Sequence, residues 1–596
     1  MNLFGYAGPW PDVPAPTAPP LGTTTPGPNA GWQAPYLARE AGISVALLGG
    51  PVWYGGAELA DPARGVLEAY RARGKAFLTA LTGRFALAID DPGAGRTLLA
   101  IDRVGIERLT YRVQGTAIAF GTSAEAVARF GAKSPALRPQ ALFDYMLLHM
   151  VPARATAYEG VAKLRPGTAA EFAGGRVTLE RYWTPAFVDR GGESFAVLRD
   201  ELHASLTAAV EACRPDESTG AFLSGGLDSS TVAGMLGKVQ GRGPRTFSIG
   251  FGVDEYNELE YARIANRRFG AIAHEYNVTP EDIVEAFPKI AAAYDEPFGN
   301  SSAVPTYFCA RLAAASGIKQ LLAGDGGDEI FGGNERYARQ RIFEFYQGLP
   351  GGLRRGLIQP LVGLISPESR VMPLRKLRSY VDQARIPLPE RLESWNFMYR
   401  TDLGSMLDPG FRAAVDPRAP LAVMAEVYAS TDSRSLLHRM LNYDWHYTLS
   451  DNDLRKVGTM CALGGVRVAY PMLDPRVLDL SIRVPPRMKM KGLELRSFFK
   501  QAMQGFLPVE ILNKTKHGFG LPFGVWLKSH ARLGDLIYGL LTDLKARRIV
   551  SAAFLDDLIV QHRGGHASYF GYAIWDLAML EAWLQAHGAR PGGLSL

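Results

Sequence analysis

The sequence predicts a two-part chain: a β-rich α+β unit, then an α/β unit with a doubly wound parallel sheet and a large helical C-terminal part. Three observations predict this. Residues 43–130 run as short apolar segments separated by Gly and Asp turns. From about Phe195, apolar strands alternate with helical patterns, as a parallel sheet covered on both faces requires. Within that second part, residues 221–230 read AFLSGGLDSS, a strand that stops at two glycines and resumes as a helix.

Composition narrows the function classes. A hydrophobic content of 47% with 21% charged residues is ordinary for a soluble globular protein. No apolar run approaches the roughly 18 residues of a membrane span, and MNLFGYAGPWPDVPAP lacks the basic start and apolar block of a signal peptide. Cys213, Cys309 and Cys461 are far apart and odd in number. They point to a cytoplasmic setting with neither a disulfide framework nor a structural zinc site. The formal charge of +6 is diluted over 65 basic and 59 acidic residues with no block of like charges, which argues against nucleic acid as a partner. A mildly basic surface suits a nucleotide or an acidic peptide.

In chain order, residues 10–31 hold seven prolines and read as a loop without a core. ISVALLGG from Ile43 is strand-like, and the spacing predicts a helix from Pro62 to Arg73. Strands follow in FLTALTGRFALAID, TLLAIDRVGIERLTYRV and TAIAFG. Residues 139–183 read as a transition, with a helix at ALFDYMLLHM and a hairpin over 172–182. After the glycine turn come strands at 246–251 and 273–278, a helix over 261–269 between them, and a strand at 320–323 that ends in GDGGDE. Beyond 335 the pattern is mostly helical, with LPFGVWLKS and YAIWDLAMLEAWL as the clearest amphipathic segments.

A strand, a glycine turn and a helix N-terminus together make an anion site, because the glycines let backbone N–H groups approach phosphate oxygens. Leu223, Ser224, Gly225, Gly226, Leu227, Asp228, Ser229 and Ser230 are therefore the expected nucleotide-binding stretch, with Asp228 placed to hold Mg²⁺. The Gly-Lys-Ser/Thr of a Walker loop is missing. Ligands of an open parallel sheet sit beyond its C-terminal strand ends, so loops 224–230, 249–254 and 324–329 are expected to converge on one nucleotide.

The glycine loop resembles the pyrophosphate loop of the ATP-pyrophosphatases, which split ATP into AMP and pyrophosphate. From residue 195 onward the chain resembles the synthetase domain of asparagine synthetases, on SGGLDSS, Tyr294-Asp295-Glu296-Pro297-Phe298, GDGGDEIFGG, Tyr470-Pro471-Met472-Leu473-Asp474 and Lys516-His517-Gly518-Phe519-Gly520. The resemblance implies ATP and Mg²⁺ as cofactors, Asp228 and Asp328 as metal ligands, Ile249 and Gly324 beside adenine and ribose, with plain strand core as the alternative for Ile249, and Ala323 as a further nucleotide-binding residue. It also implies a mechanism. A carboxylate attacks the α-phosphorus of ATP to give an acyl-adenylate, and an amine then forms the amide. Asp325 occupies the slot that is Glu in asparagine synthetases and Tyr in β-lactam-forming relatives. It is the expected acid/base group, with an Asx-type bond inside the glycine turn as its alternative role. Arg496 falls where relatives carry a phosphate-contacting Lys, and the swap keeps the charge but spreads it over a planar fork. Lys500, Lys514 and Lys516 are further candidates for the pyrophosphate, unranked by sequence. His517 reads as a cap or core residue.

At Gly83-Arg84-Phe85-Ala86-Leu87-Ala88 and Asp102-Arg103-Val104-Gly105-Ile106 the first part resembles the glutaminase domain of the same enzymes. That implies an Ntn-type sandwich over residues 1–187 and a synthetase domain over 188–596. In the family an N-terminal Cys frees ammonia from glutamine. Here position 2 is Asn2, whose amide cannot form the thioester. The glutamine-binding stretch has become Gly49-Gly50-Pro51-Val52-Trp53-Tyr54. The domain therefore reads as a glutaminase fold without glutaminase activity.

Among relatives with such a domain, the chain looks closest to the macrolactam cyclases of lasso peptides. Position 325 is not Tyr, and extra helical length such as 340–400 departs from the β-lactam group. The expected reaction joins an Asp or Glu side chain of a core peptide to the peptide's own N-terminal amine. Expected partners are that precursor peptide, a leader peptidase and a leader-recognition protein. An ammonia-dependent asparagine synthetase and a small-molecule β-lactam synthetase are the alternatives.

Overall fold

The computed structural model describes residues 2–10, 32–55, 59–132, 135–253, 258–366, 371–514 and 520–588. Most of the proline-rich stretch, and Lys516 to Phe519 of the KHGFG motif, lie outside these ranges.

The first unit contains strands β1 (Phe4–Ala7), β2 (Tyr36–Glu40), β3 (Ile43–Trp53), β4 (Leu81–Asp91), β5 (Arg96–Ile101), β6 (Thr110–Gln114), β7 (Ala117–Gly121), β8 (Val161–Lys163), β9 (Thr168–Ala173) and β10 (Arg176–Arg181). They form two sheets, β10-β9-β5-β4-β3-β2 and β1-β7-β6-β8, with every pairing antiparallel. Side chains alternate across a strand, and β4 shows the consequence. Ala86 and Ala88 point into a core shared with Leu99, Ile101, Ile118 and Phe120, which packs the two sheets face to face. Phe85, Leu87 and Ile89 point the other way, against Val66, Leu67 and Tyr70 of the helix Pro62–Arg73. That helix has the bounds its spacing predicts, and Asp61 caps it by accepting from the N–H of Arg64.

The second unit is built on β11 (Thr219–Phe222), β12 (Arg245–Phe251), β13 (Ile272–Val278), β14 (Gln320–Leu322) and β15 (Arg467–Ala469). Their order is β13-β12-β11-β14-β15, and every pairing is parallel. The order reverses beside β11, so the loops leaving β11 and β14 are neighbours at the carboxyl edge, where such sheets bind ligands. The sequence pattern misses β15. Three residues are too few for a period, and Arg-Val-Ala becomes a strand only by pairing with Gln320–Leu322.

The C-terminal part is helical, as expected, with one correction. Helix Ala567–Ala586 is not amphipathic, since residues 573–584 are buried on every face. Helices Pro280–Ala293, Phe523–Ser529 and Ala531–Lys545 surround it. Its two buried acids are paired, Glu581 with Arg547 at 2.8 Å and Asp576 with His149 at 2.7 Å.

The YDEPF motif joins the units. Glu296 accepts from Lys163 Nζ at 2.9 Å and from Arg455 Nη1 at 3.1 Å, with all three side chains buried. Asp295 accepts from the Ala124 N–H at 2.7 Å and from Arg455 Nη2 at 3.0 Å. The GRFALA and DRVGI motifs serve the same junction. Asp102 accepts backbone N–H bonds from Phe85, Val104, Ile106 and Glu107, while Arg84 pairs with Glu107 and reaches the Val468 carbonyl of β15 at 3.2 Å.

Candidate active site

The loop after β11 is shaped by close approach. Gly225 has φ +70°, and a side chain there would meet the backbone of Tyr261 and Ala262 at about 2.5 Å. The helix Leu227–Gln240 starts at Gly226, and among the described residues no side chain caps it; an uncapped helix start is the kind that binds anions. Ser224 and Ser229 hold the turn: the Ser224 N–H donates to Ser229 Oγ at 3.2 Å, and the Gly226 N–H donates to Ser224 Oγ at 3.3 Å.

The loop after β14 presses against this one. A Cβ on Gly324 would lie 2.7 Å from the Ser229 nitrogen, and one on Gly327 would lie 2.0 Å from Asp228 Oδ1. The glycines of GDGGDE thus bring two acidic loops into contact.

Between the loops and the helical part lies a cleft of about 780 Å³, within the usual range for a small-molecule site. Leu223, Ser224, Gly226, Leu227, Asp228, Ser229, Ile249, Gly324, Asp325, Asp328, Arg496 and Lys500 all line it, as does Lys514. Three expected residues sit behind the wall. Gly225 packs on the helix Leu259–Phe269, Ser230 is buried with its hydroxyl unpartnered among the described residues, and Ala323 is buried with its N–H bonded to Ala469. Ile249 is both strand core and cleft wall, at 6% exposure.

Arg496 differs from its expected place. Instead of pointing openly at a phosphate position, its guanidinium bridges the two expected metal ligands. Nη1 is 2.5 Å from Asp228 Oδ2 and 2.8 Å from Asp328 Oδ1, and Nη2 reaches Asp228 Oδ1. Burial works against its charge, but the two carboxylates hold its pKa above the ordinary arginine value. The backbone takes a left-handed conformation there, φ +58°, before the helix Ser497–Ala502. Lys514 is paired with Glu258 at 3.2 Å and lies over the Tyr261 ring. Lys500 lines the cleft one turn beyond Arg496.

Asp325 faces residues that sequence reasoning missed. Asp453 and Lys456 line the cleft, with Lys456 Nζ donating to Asp453 Oδ1 at 2.7 Å. Burial pushes Asp325 up to about 6, with Lys456 opposing the rise and Asp453 and Asp228 adding to it. For Lys456, burial is outweighed by Asp453 and Asp325, which raise it. Both residues stand where the π-helical stretch Trp445–Leu454 passes into the helix Arg455–Gly464, and interruptions of that kind frequently mark functional sites. The available sequence signal was the run Asp451-Asn452-Asp453 followed by Arg455-Lys456 inside a largely apolar helical segment.

The arrangement can bind a polyphosphate at the glycine turn and helix start, offer two carboxylates to a cation, and place a proton acceptor of raised pKa in the same cleft. Asp228 and Asp328 suit Mg²⁺, which takes one or two carboxylates and completes its shell with phosphate and water. Among the described residues no group of three or more His, Cys, Asp or Glu could cage a metal.

A family model described as asparagine synthase matches residues 201–585, and one described as glutamine amidotransferase domain matches residues 62–183. Glutamine-hydrolyzing asparagine synthetase 1 of Bacillus subtilis is 24% identical over 519 residues, covering 87% of this chain and 80% of the relative. Amidase chry2 of Gibberella zeae is 23% identical over 525 residues, covering 79% of this chain and 74% of its own. Among solved structures, an allosteric regulatory enzyme of purine biosynthesis covers 41% of this chain at 13% identity, with a TM-score of 0.18.

Proposed function

We propose, since this chain belongs to the asparagine synthase family and is an ATP-dependent amide-forming ligase, that it activates a carboxyl side chain of a peptide and closes it onto the peptide's own N-terminal amine. The observation that supports this reading is the pairing of a cleft that gathers the glycine turn, Asp228, Asp328 and Asp325 with a first unit that has no cysteine. The chain's cysteines are Cys213, Cys309 and Cys461, and residues 1–187 hold none. A cysteine nucleophile for freeing ammonia from glutamine is absent there, so the amine has to come from elsewhere.

Each residue then has a task. The Ser224–Ser229 turn and the helix start bind the triphosphate through N–H and hydroxyl donors. Asp228 and Asp328 would hold Mg²⁺, which when bound offsets phosphate charge. Arg496, released from one or both carboxylates, supplies a fixed positive charge beside the phosphates. The substrate carboxylate attacks the α-phosphorus, forming the acyl–O–P bond as the bond to pyrophosphate breaks. The amine then attacks the acyl carbon, the C–N bond forms, AMP leaves with the C–O electron pair, and Asp325 takes the ammonium proton. Lys456, held by Asp453, stands close enough to tune that carboxylate. Precursor peptide, leader peptidase and leader-recognition protein are the partners this reading calls for.

The second reading is an asparagine synthetase, the activity in the Bacillus relative's name, run here on free ammonia where that relative is named glutamine-hydrolyzing. ATP–pyrophosphate exchange with core peptides, with aspartate and with a β-amino acid, followed by product mass, separates the readings. Cyclisation lowers the peptide mass by one water and yields AMP. Asparagine formed from aspartate and ammonia, with peptides left linear, rejects the cyclase.

A further inference from the structure

The helices Glu335–Gln347 and Met372–Arg385, with the helical run 351–363 between them, form an arm with its own small core of Phe343, Tyr346, Val362, Val381 and Ala384. That core covers only part of the arm's apolar surface. Ile358, Val362 and Ile365 pack inward. Leu353, Leu357, Leu361 and Leu364 recur at intervals of four, four and three, the spacing of a single helix face, and are 41%, 52%, 57% and 84% exposed. Leu374 and Leu377 share a face with buried Val381 and Ala384 yet are themselves exposed, so this apolar stripe runs past the core into solvent. Phe345 adds an exposed ring. Scattered surface leucines need no explanation, but a contiguous set does.

Charge is concentrated in the same place. Residues 335–385 hold ten Arg and Lys against four Asp and Glu, whereas the whole chain holds 65 against 59. The arm therefore carries the entire formal excess of +6, and the remainder of the chain is balanced. Arg355, Arg375 and Lys376 are exposed on the elements that bear the stripe, and Arg341 is exposed on the helix that carries Phe345.

We propose that this arm docks the protein on the surface of an anionic phospholipid bilayer, with the leucines entering the headgroup–acyl boundary and the cations meeting lipid phosphates. A leucine stripe edged by Arg and Lys is the pattern of a helix lying in the membrane interface, and cations spread over several turns match a diffuse negative surface rather than one acidic side chain. The attachment is peripheral, because among the described residues no helix is long and apolar enough to cross a membrane. Asn334 and Glu335, where the arm begins, line the cleft, so docking would hold the site close to the bilayer. This inference does not depend on which amide the cleft forms.

The test is flotation of the full chain with phosphatidylcholine vesicles, with and without phosphatidylglycerol. The protein floats only with phosphatidylglycerol, and the bound fraction falls as salt approaches about 0.5 M. Replacing Leu353, Leu357, Leu361 and Leu364 together by Ser lowers binding about ten-fold or more, as does Arg375→Glu with Lys376→Glu. None of these residues lines the cleft, so ATP turnover and circular dichroism stay as in the wild type. No flotation with phosphatidylglycerol, or equal flotation of the Ser variant, overturns the proposal. So does a stripe-dependent dimer in vesicle-free solution, which assigns the face to a second copy. Equal binding of the wild type and the Ser variant to polyglutamate and to vesicles reduces the effect to charge alone and also overturns it.

Discussion

Nη1 of Arg496 lies 2.5 Å from Oδ2 of Asp228 and reaches Asp328 Oδ1 at 2.8 Å, so one guanidinium ties the loop after β11 to the loop after β14. A planar fork can bridge two carboxylates, whereas an ammonium is a point charge that favours one. The side chain that stands beside the proposed phosphate site also sets the spacing of the two proposed metal ligands.

Arg496→Lys should therefore lower pyrophosphate release by roughly ten-fold, and Arg496→Ala by roughly 10²–10³-fold, the range for losing a preorganised charge donor. Steady-state pyrophosphate release under saturating ATP checks both. Equal turnover in wild type and Arg496→Ala would remove the guanidinium from the chemistry.

Asp228→Asn and Asp328→Asn each subtract one charge from the pair with little change in volume. Pyrophosphate release should drop below detection in both, while the far-ultraviolet spectrum stays as in wild type. Half-saturation of any residual activity should move to higher Mg²⁺. A variant that turns over normally at low Mg²⁺ would show its carboxylate is no ligand.

Asp325 supplies a pH signature. Burial raises it to about 6, so below that pH it holds its proton and cannot accept another. The amine-capture step should rise with pH through about 6 and then level off. Stability runs the opposite way: a carboxyl whose folded pKa is raised contributes most below its unfolded value and loses that contribution as pH climbs through about 6. Single-turnover amide formation from preformed adenylate, measured across pH 5–8, reads the first effect. Asp325→Asn should be slower by about 10²–10⁴-fold and flat over that interval.

The Lys163–Glu296 pair, 2.9 Å apart and buried at the junction of the two units, is a test of the interface. Lys163→Met leaves Glu296 with Arg455 but short of one partner, and Glu296→Gln leaves two buried cations short of an acid. Each should destabilise the chain by about 3–5 kcal/mol in denaturant unfolding. The double variant should fall well short of the sum, because the members share a network. Additive losses would mean the two act independently.

Asn2→Cys should not release glutamate from glutamine. The stretch 49–54 has no amide or carboxylate side chain to hold the substrate, and a thiol without a bound, oriented carbonyl gains little. Glutamate formation above a blank, independent of ATP, would show that the pocket survives.

Local pattern by itself determined much of this protein. The helix Pro62–Arg73, the hairpin of β9 and β10, the first four parallel strands and the SGGLDSS turn were legible because period, turn residues and glycine positions are properties of neighbouring residues. Most of the expected nucleotide loop proved to line the cleft for the same reason: a strand, two glycines and a helix start specify their own geometry.

What lies far apart in the chain was decided by packing. Arg496 and Asp228 are separated by 268 positions, and no local signal states that a guanidinium predicted for phosphate would close on two aspartates. β15 exists only through its register with β14. Lys456 and Asp453 share the cleft with Asp325 although more than 120 positions separate them in the chain, at the point where a π-helical stretch passes into the next helix. Helix Ala567–Ala586 lost its expected solvent face because the helices packed around it, Ala552–Gly564 among them, enclose it. In each case the deciding energy is burial of charge or apolar surface against a distant partner, which a window of neighbouring residues cannot register.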